Sequence, residues 1–535
     1  MKARLPITLL LLSTLVLPAA DDAVPAWGNW TRWGDQGDGS YRNPVLPGDY
    51  SDPDCIRVGA DYYAISSTFQ YSPGLVILHS RDLVNWRVLG HAITDLTQIG
   101  PELNWDRMSR YGRGVWAGAI RHHAGRFWIY FGTPDEGYFM TSASDPAGPW
   151  MPLHPVLREA GWDDCCPFWD DDGQGWFVGT NYKDGYKTWL YRLTPDGRAL
   201  VPESRVLLNE GSHREANKLY KIGGTYYHFF SEWKEGVGRY VMMQRAERIT
   251  GPYTGARALA HAQREVMEPN QGGLVQTETG AWYFLTHHGT GRWEGRAASL
   301  LPVTWIDGWP IIGEPGPDGL GTFVWSGAKP VAGTPALVPQ GSDEFDATAL
   351  SPQWEWNYQP RADKWSLAER PGFLRLHAFR PLEPDTLLTA GNTLTQRTLR
   401  TSTNVATVYL ELGGMADGQR AGLAHFSRIG PGECGVRQTG SVRTLYFRTG
   451  SATITGPVLT GSVVWLRSTW GTDGLSRFSY SLDGVSFTDF GPTYELKWSA
   501  YRGDRLALFS FNTEQDAGYV DFGWFRYEYA NPSRW

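Results

Sequence analysis

The chain has 535 residues, 63 of them Gly and 34 Pro, and carries 26 Trp, 26 Tyr and 22 Phe. That length exceeds one ordinary core, so many aromatics exclude a disordered chain, and high Gly with high Trp and Tyr points to many short strands in at least two all-β domains rather than a helical bundle. The 49 basic and 56 acidic residues give a net charge of −7, which disfavours a nucleic-acid partner, and four cysteines cannot form a disulfide framework.

At the N-terminus, Lys2 and Arg4 precede an apolar run from Leu5 to Leu17 that ends in Pro18-Ala19-Ala20. Positive charge, a short apolar stretch and small residues in that order describe a secretory signal peptide over residues 1–20. The run is shorter than the ~20 residues that span a bilayer. The expectation is an exported protein, periplasmic or extracellular, with no membrane span.

A turn followed by two aromatics and an apolar strand recurs five times, at Tyr62-Tyr63, Phe127-Trp128, Trp176-Phe177, Tyr226-Tyr227 and Trp282-Tyr283, with spacings of 65, 49, 50 and 56 residues. Such a period fits one four-stranded blade per repeat and predicts a five-bladed β-propeller over 38–325. Stepping back 10 to 12 residues from each pair reaches Asp52, Trp116, Asp164, Glu215 and Gln271. The innermost strands of a propeller line its channel, so residues at one phase converge at the mouth, and three of these five are carboxylic acids. Crowded like charges raise one another's pKa, which costs stability unless the cluster does chemistry. Asp170, Asp171 and Asp172, just before Gly173, read instead as turn residues.

Two carboxyl groups facing each other across a pocket can cleave an acetal: one protonates the leaving oxygen while the other activates water or attacks the anomeric carbon. A third acid can keep the first protonated. Aromatic rings suit the apolar faces of sugars. No nucleophile elbow, P-loop, zinc motif or dinucleotide pattern is evident, which leaves glycoside hydrolysis with no cofactor for catalysis.

The segments NPVLPGDYSDPD (43–54), DYYAISSTFQYSPGLVILHSRDLVNW (61–86), WAGAIR (116–121), DCCPFWDDDG (164–173), EANKLYK (215–221) and GRAASLLPVTWIDGWPIIG (295–313), in this order, resemble glycoside hydrolase family 43. The resemblance implies a five-bladed propeller in which Asp52 is the general base, Glu215 the general acid, and Asp164 the residue that tunes and orients the acid. It also implies inversion, with the carboxyls of Asp52 and Glu215 about 6.5–9.5 Å apart to admit a water. Phe69 and Trp116 match walls of the terminal-sugar subsite, and Arg296 matches an arginine on its hydroxyls. Gln271 and His287 complete the expected substrate-binding set, with His287 and His288 near the channel floor. The chain departs from the family at Ala216-Asn217, where many relatives carry Gly-Pro. Cys165 and Cys166 read as two small buried thiols rather than a strained vicinal disulfide.

Residues 326–341, rich in Pro and Gly, read as a linker, and 342–535 as an accessory β-sandwich of alternating strands such as 371–379, 404–412, 444–450 and 505–512. Its closing AGYVDFGWFRYEY resembles the concanavalin-like sandwich attached to family β-xylosidases and arabinofuranosidases. Such a domain can carry a structural calcium, for which Asp343 and Asp521 are the candidate ligands. The expected activity is exo-acting, inverting release of terminal α-L-arabinofuranosyl groups from plant cell-wall oligo- or polysaccharides, slightly ahead of β-D-xylosidase activity. The other readings are an endo-acting arabinanase or xylanase and, from another class, a non-catalytic glycan-binding protein.

Overall fold

The computed structural model describes residues 32–211, 213–262, 269–288, 292–384 and 386–532. The expected signal segment, 1–20, lies outside the described residues. Helical structure among the described residues is limited to three-residue 3-10 turns, and no helix is long and apolar enough to cross a membrane.

Five four-stranded antiparallel sheets follow one another along the chain, each a meander in sequence order. Their first strands are Asp54–Val58, Gly118–His123, Trp162–Trp169, Glu215–Ile222 and Gly272–Gln276. Each aromatic pair of the repeat falls on the second strand of its sheet: Asp61–Ser66, Arg126–Thr133, Gly175–Asn181, Thr225–Lys234 and Trp282–His288. These strands are apolar without alternation because both faces are covered; Ile129, Tyr130 and Phe131 are all fully buried.

Separate apolar clusters fill the spaces between successive sheets. Ile65, Ile77, Ile120 and Phe131 join the first to the second, and Tyr130, Tyr138, Trp162 and Phe177 join the second to the third. Val178, Leu190, Leu219 and Tyr226 join the third to the fourth. Phe229 and Met243 meet Phe284 and Leu301 between the fourth and fifth, while Leu285 and Leu300 meet Tyr62 and Val76 between the fifth and first. The first strands lie side by side, and the Leu274 N–H donates to the Tyr220 hydroxyl at 2.9 Å.

The C-terminal part is a two-sheet sandwich. One sheet orders Ala452–Leu459, Val442–Thr449, Gly432–Thr439, Gln419–Phe426, Arg505–Asn512, Leu394–Arg397 and Glu355–Asn357, and its last neighbour is Tyr71–Ser72 from the N-terminal part. The other is centred on Tyr519–Tyr529, Asn404–Glu411 and Val463–Trp470. Val408, Leu410, Leu423, Leu508 and Phe522 fill the space between them.

The expected linker is part of the folded body. Ser326–Ala328 pairs with Ser40–Arg42, and the buried Lys329 ammonium meets Asp35 at 2.5 Å and Asp82 at 3.1 Å. Glu355, fully buried in the sandwich, takes Arg397 at 2.9 Å and Arg505 at 2.6 Å from its own sheet and, across the junction, His91 at 3.0 Å. Burial alone would push the Glu355 carboxyl up, but Arg397 and Arg505 outweigh it and hold the group well below the usual carboxylate range.

Candidate active site

The five positions picked out by the repeat, Asp52, Trp116, Asp164, Glu215 and Gln271, all line one cavity of about 590 Å³ at the starts of the first strands. Phe69, His287 and Arg296 line it too.

Asp52 sits two residues before the first strand with φ 54°, in the left-handed region that a residue with a Cβ occupies only when its surroundings hold it there. Three contacts do so. The Asp52 N–H donates to His287 Nδ1 at 2.7 Å, Ser67 Oγ donates to Asp52 Oδ2 at 2.7 Å, and Arg296 Nη1 donates to Asp52 Oδ1 at 2.9 Å. His287 is buried, and burial followed by the nearby Arg296 charge holds its pKa well below the ordinary value. The imidazole is therefore neutral, and because Nδ1 accepts from Asp52 its proton sits on Nε2. Arg296, expected on sugar hydroxyls, has the Asp52 carboxylate as its hydrogen-bond partner in this structure. His288 turns away to Ser299 Oγ, at 2.7 Å.

Asp164 (φ 43°) and Ala216 (φ 67°) are likewise left-handed, and the pairing of their strands with the second strands slips at both points. The slips bring the two first strands' acids together. The Ala216 N–H donates to Asp164 Oδ2, so the residue after Glu215 is tied to Asp164. Gln271 Nε2 donates to Asp164 Oδ1 at 3.1 Å, and Lys218 Nζ lies 3.5 Å from Gln271 Oε1. Gln271, expected on substrate, thus spends its amide on Asp164. Burial first, and then the Glu215 charge, push the Asp164 carboxyl up to about 7, against the opposing pull of Lys218. Glu215 is about three-tenths exposed and pairs with Arg239 Nη1 at 2.8 Å.

Asp163 is a cavity residue that the sequence reading missed. Strand alternation points it away from Asp164, but the irregular pairing between Asp163 and Cys166 defeats the alternation, and oxygens of Asp163, Asp164 and Glu215 lie within 4.8 Å of one another. Burial and then Asp164 push its carboxyl well above the usual range. Four acids thus face one cavity.

Tyr501, from the sandwich, is another wall residue that sequence reasoning missed. Its ring stacks on Phe69 at 6.5 Å, meets Trp116 edge-on at 6.2 Å, and has the Arg296 guanidinium 5.5 Å from its centroid. Ala500 and Tyr501 are both left-handed, at φ 52° and 64°. The turn is fixed by buried Arg502, whose Nη2 donates to Asp49 Oδ1 at 2.9 Å and Ser51 Oγ at 2.6 Å while its guanidinium lies 3.9 Å over Phe69. Gly503 has no room for a Cβ, which would stand 2.6 Å from the Gly295 nitrogen.

Asp343 and Asp521 do not form the expected calcium site. Asp343 accepts from the Phe345 N–H and Trp354 Nε1, whereas Asp521 accepts from Arg375 Nε at 2.7 Å and Arg370 Nη1 at 2.9 Å. Two guanidinium groups already neutralise Asp521, so this pair does not fit a cation. Cys165 and Cys166 are free, buried thiols as expected. Asp170 and Asp172 cap their own turn through the Asp171 and Gln174 N–H groups.

Residues 41–310 match the glycosyl hydrolases family 43, and 342–528 the β-xylosidase C-terminal concanavalin A-like domain. The chain belongs to glycosyl hydrolase family 43. This family 43 hydrolase is 34% identical to a β-xylosidase of Formosa agariphila, over 94% of this chain and 92% of the relative. It is 30% identical to a non-reducing end α-L-arabinofuranosidase of Bacteroides ovatus, over 63% of this chain and 65% of that one. A bifunctional GH43-CE protein of Bacteroides eggerthii superposes with a TM-score of 0.81 at 31% identity; the match covers 93% of this chain and 64% of that protein. The enzyme is a glycoside hydrolase, and the sandwich that supplies Tyr501 is the part that matches the β-xylosidase C-terminal domain.

Proposed function

We propose that this enzyme is an exo-acting, inverting pentosidase that removes terminal β-D-xylosyl groups from xylan-type glycans. The observation that carries an exo mode is the sandwich turn: Tyr501 closes the cavity beside Phe69 and Trp116, so the site is a pocket for a chain end rather than an open groove. The named relative at 34% identity over nearly its whole length supports xylosyl ahead of arabinofuranosyl and so reverses the order expected from sequence. Release of α-L-arabinofuranosyl groups stays as the second reading, supported by the Bacteroides ovatus relative.

In the proposed reaction a water gives its proton to Asp52 as its oxygen attacks the anomeric carbon. The glycosidic C–O bond breaks, and Glu215 passes its proton to the departing oxygen, giving a free pentose of inverted configuration. Ser67 and Arg296 fix both Asp52 oxygens, and the Ala216 N–H ties the acid's strand to Asp164. The proton shared within the Asp164–Glu215 pair belongs on Glu215 in the working form, because both Asp164 oxygens already receive N–H groups. This reading takes the five sheets as blades of a closed five-bladed propeller, supported by the apolar clusters between every successive pair. Export to the periplasm or beyond is proposed on the 1–20 segment alone.

Rates on aryl β-D-xyloside and aryl α-L-arabinofuranoside test the preference: an arabinofuranoside advantage above tenfold reverses it. Asp52→Asn should abolish turnover of both. Glu215→Gln should cost about 10²–10⁴ on alkyl glycosides and much less on aryl glycosides whose leaving group needs no proton. Wild-type rates in both variants would refute the assignment.

A further inference from the structure

The cavity wall beyond Glu215 carries aromatic groups that the reaction described above does not use. The second and third strands of the fourth sheet, Thr225–Lys234 and Gly238–Ala246, form a hairpin near whose end Trp233 and Arg239 are cross-strand neighbours. Arg239 Nη1 pairs with Glu215 at 2.8 Å and donates to the His213 carbonyl at 3.0 Å. His213 is held at φ 55°, with its ring edge-on to Trp233 at 5.8 Å and 4.7 Å from Tyr186, whose hydroxyl lies 3.0 Å from His213 Nδ1. All three rings line the cavity, yet Trp233 is 39% exposed. A large indole left open to solvent at a cavity mouth, and braced by neighbours that are themselves tied to the acid's partner, is a surface kept for a ligand.

Chemistry identifies that ligand. A general acid lies beside the oxygen it protonates, so a group beyond Glu215, away from Asp52 and its Phe69–Tyr501 wall, belongs to the departing part of the substrate. We infer that Tyr186, His213 and Trp233 form the leaving-group subsite, which seats the next pyranose ring of the glycan against the Trp233 indole. The inference rests on the proposed pentosidase activity. Pyranose rings present apolar C–H faces that pack on an indole, and their hydroxyls reach the His213 and Tyr186 edges. Contact made beyond the scissile bond improves hydrolysis of an oligosaccharide over a glycoside whose leaving group has no ring.

The readout is the ratio of kcat/KM on xylobiose to kcat/KM on methyl β-D-xyloside. Trp233→Ala should lower that ratio about tenfold, with Trp233→Phe restoring most of it. An unchanged ratio in Trp233→Ala overturns the subsite, as does a loss that Trp233→Phe fails to repair. Should Trp233→Ala not fold, His213→Ala is read in the same way. If the wild-type enzyme turns over neither compound, the activity reading fails by itself, and the subsite is judged by calorimetry with xylobiose on the unmodified protein and Trp233→Ala. Weaker binding by the variant supports it, and equal binding overturns it.

Discussion

Tyr501 of the sandwich stacks on Phe69 of the first sheet at 6.5 Å, and the next residue, Arg502, places its guanidinium 3.9 Å over the same ring. The accessory domain is therefore part of the pocket. Tyr501→Ala is expected to reduce kcat/KM about tenfold, mostly through KM, with little change in the unfolding temperature because the side chain is half exposed. Steady-state kinetics together with a thermal melt check this; a melt lowered by many degrees would make Tyr501 a stabilising contact instead of a pocket wall.

The convergence of three acids was legible in the sequence because a repeat makes one phase mean one place, and that phase delivered Asp52, Asp164 and Glu215 to a single cavity. Other cavity residues were not, Asp163 and Tyr501 among them. Asp163 obeys no periodicity, since the left-handed backbone at Asp164 breaks the alternation that assigns side chains to faces; only the Asp163-Asp164 doublet hinted at it. Tyr501 comes from a turn whose neighbour Arg502 bonds to Ser51 across 451 positions of sequence, a juxtaposition to which neither pattern nor propensity refers. Asp343 and Asp521 do not fit a cation for a related reason, because the arginines that occupy Asp521 arrive from the neighbouring strand (Arg375) and from the loop before it (Arg370).

Glu355 is held within the sandwich by buried Arg397 and Arg505 and reaches across to the catalytic part through buried His91. Glu355→Gln would leave Arg397 and Arg505 buried without their carboxylate, a change that costs about 3–5 kcal/mol. A clear fall in unfolding temperature is expected, accompanied by loss of activity as the Tyr501 turn loosens. An unchanged melt would mean that the guanidinium groups find other acceptors. Because the folded carboxyl titrates well below its unfolded range near 4.3, its contribution is intact above that range and is lost only as pH falls through the folded value.

Three buried histidines set a milder limit. Burial pushes His228 and His288 down to about 3, and His287 lies well below its ordinary value from burial and then Arg296. The unfolded chain binds these protons near pH 6.5 while the folded chain refuses them, so stability is full above about 6.5 and declines as pH drops, by roughly 1.4 kcal/mol per pH unit for each group. Melts should stay level from pH 7.5 to about 6.5 and fall steadily from there to pH 5, and His228→Gln, which removes one of the three, should flatten that slope by about a third. A pH-independent melt over that range would contradict neutral burial.

Lys218 is buried on the strand that begins with Glu215, and its ammonium lies 3.5 Å from Gln271 Oε1 while Gln271 Nε2 donates to Asp164 Oδ1 at 3.1 Å. A donor on that oxygen fixes the amide so that its NH₂ faces the carboxylate, and the Lys218 charge draws Asp164 down against burial and Glu215. Lys218→Met removes both effects at similar volume. Asp164 should then titrate above its present value of about 7, keep its proton at neutral pH, and lose the charge that the neighbouring acid works against. The expected result is an acidic limb of the kcat/KM profile displaced to higher pH, with activity at pH 7 reduced about tenfold or more and Lys218→Arg nearer to wild type. A profile of unaltered shape at a uniformly lower rate would reduce Lys218 to a packing residue.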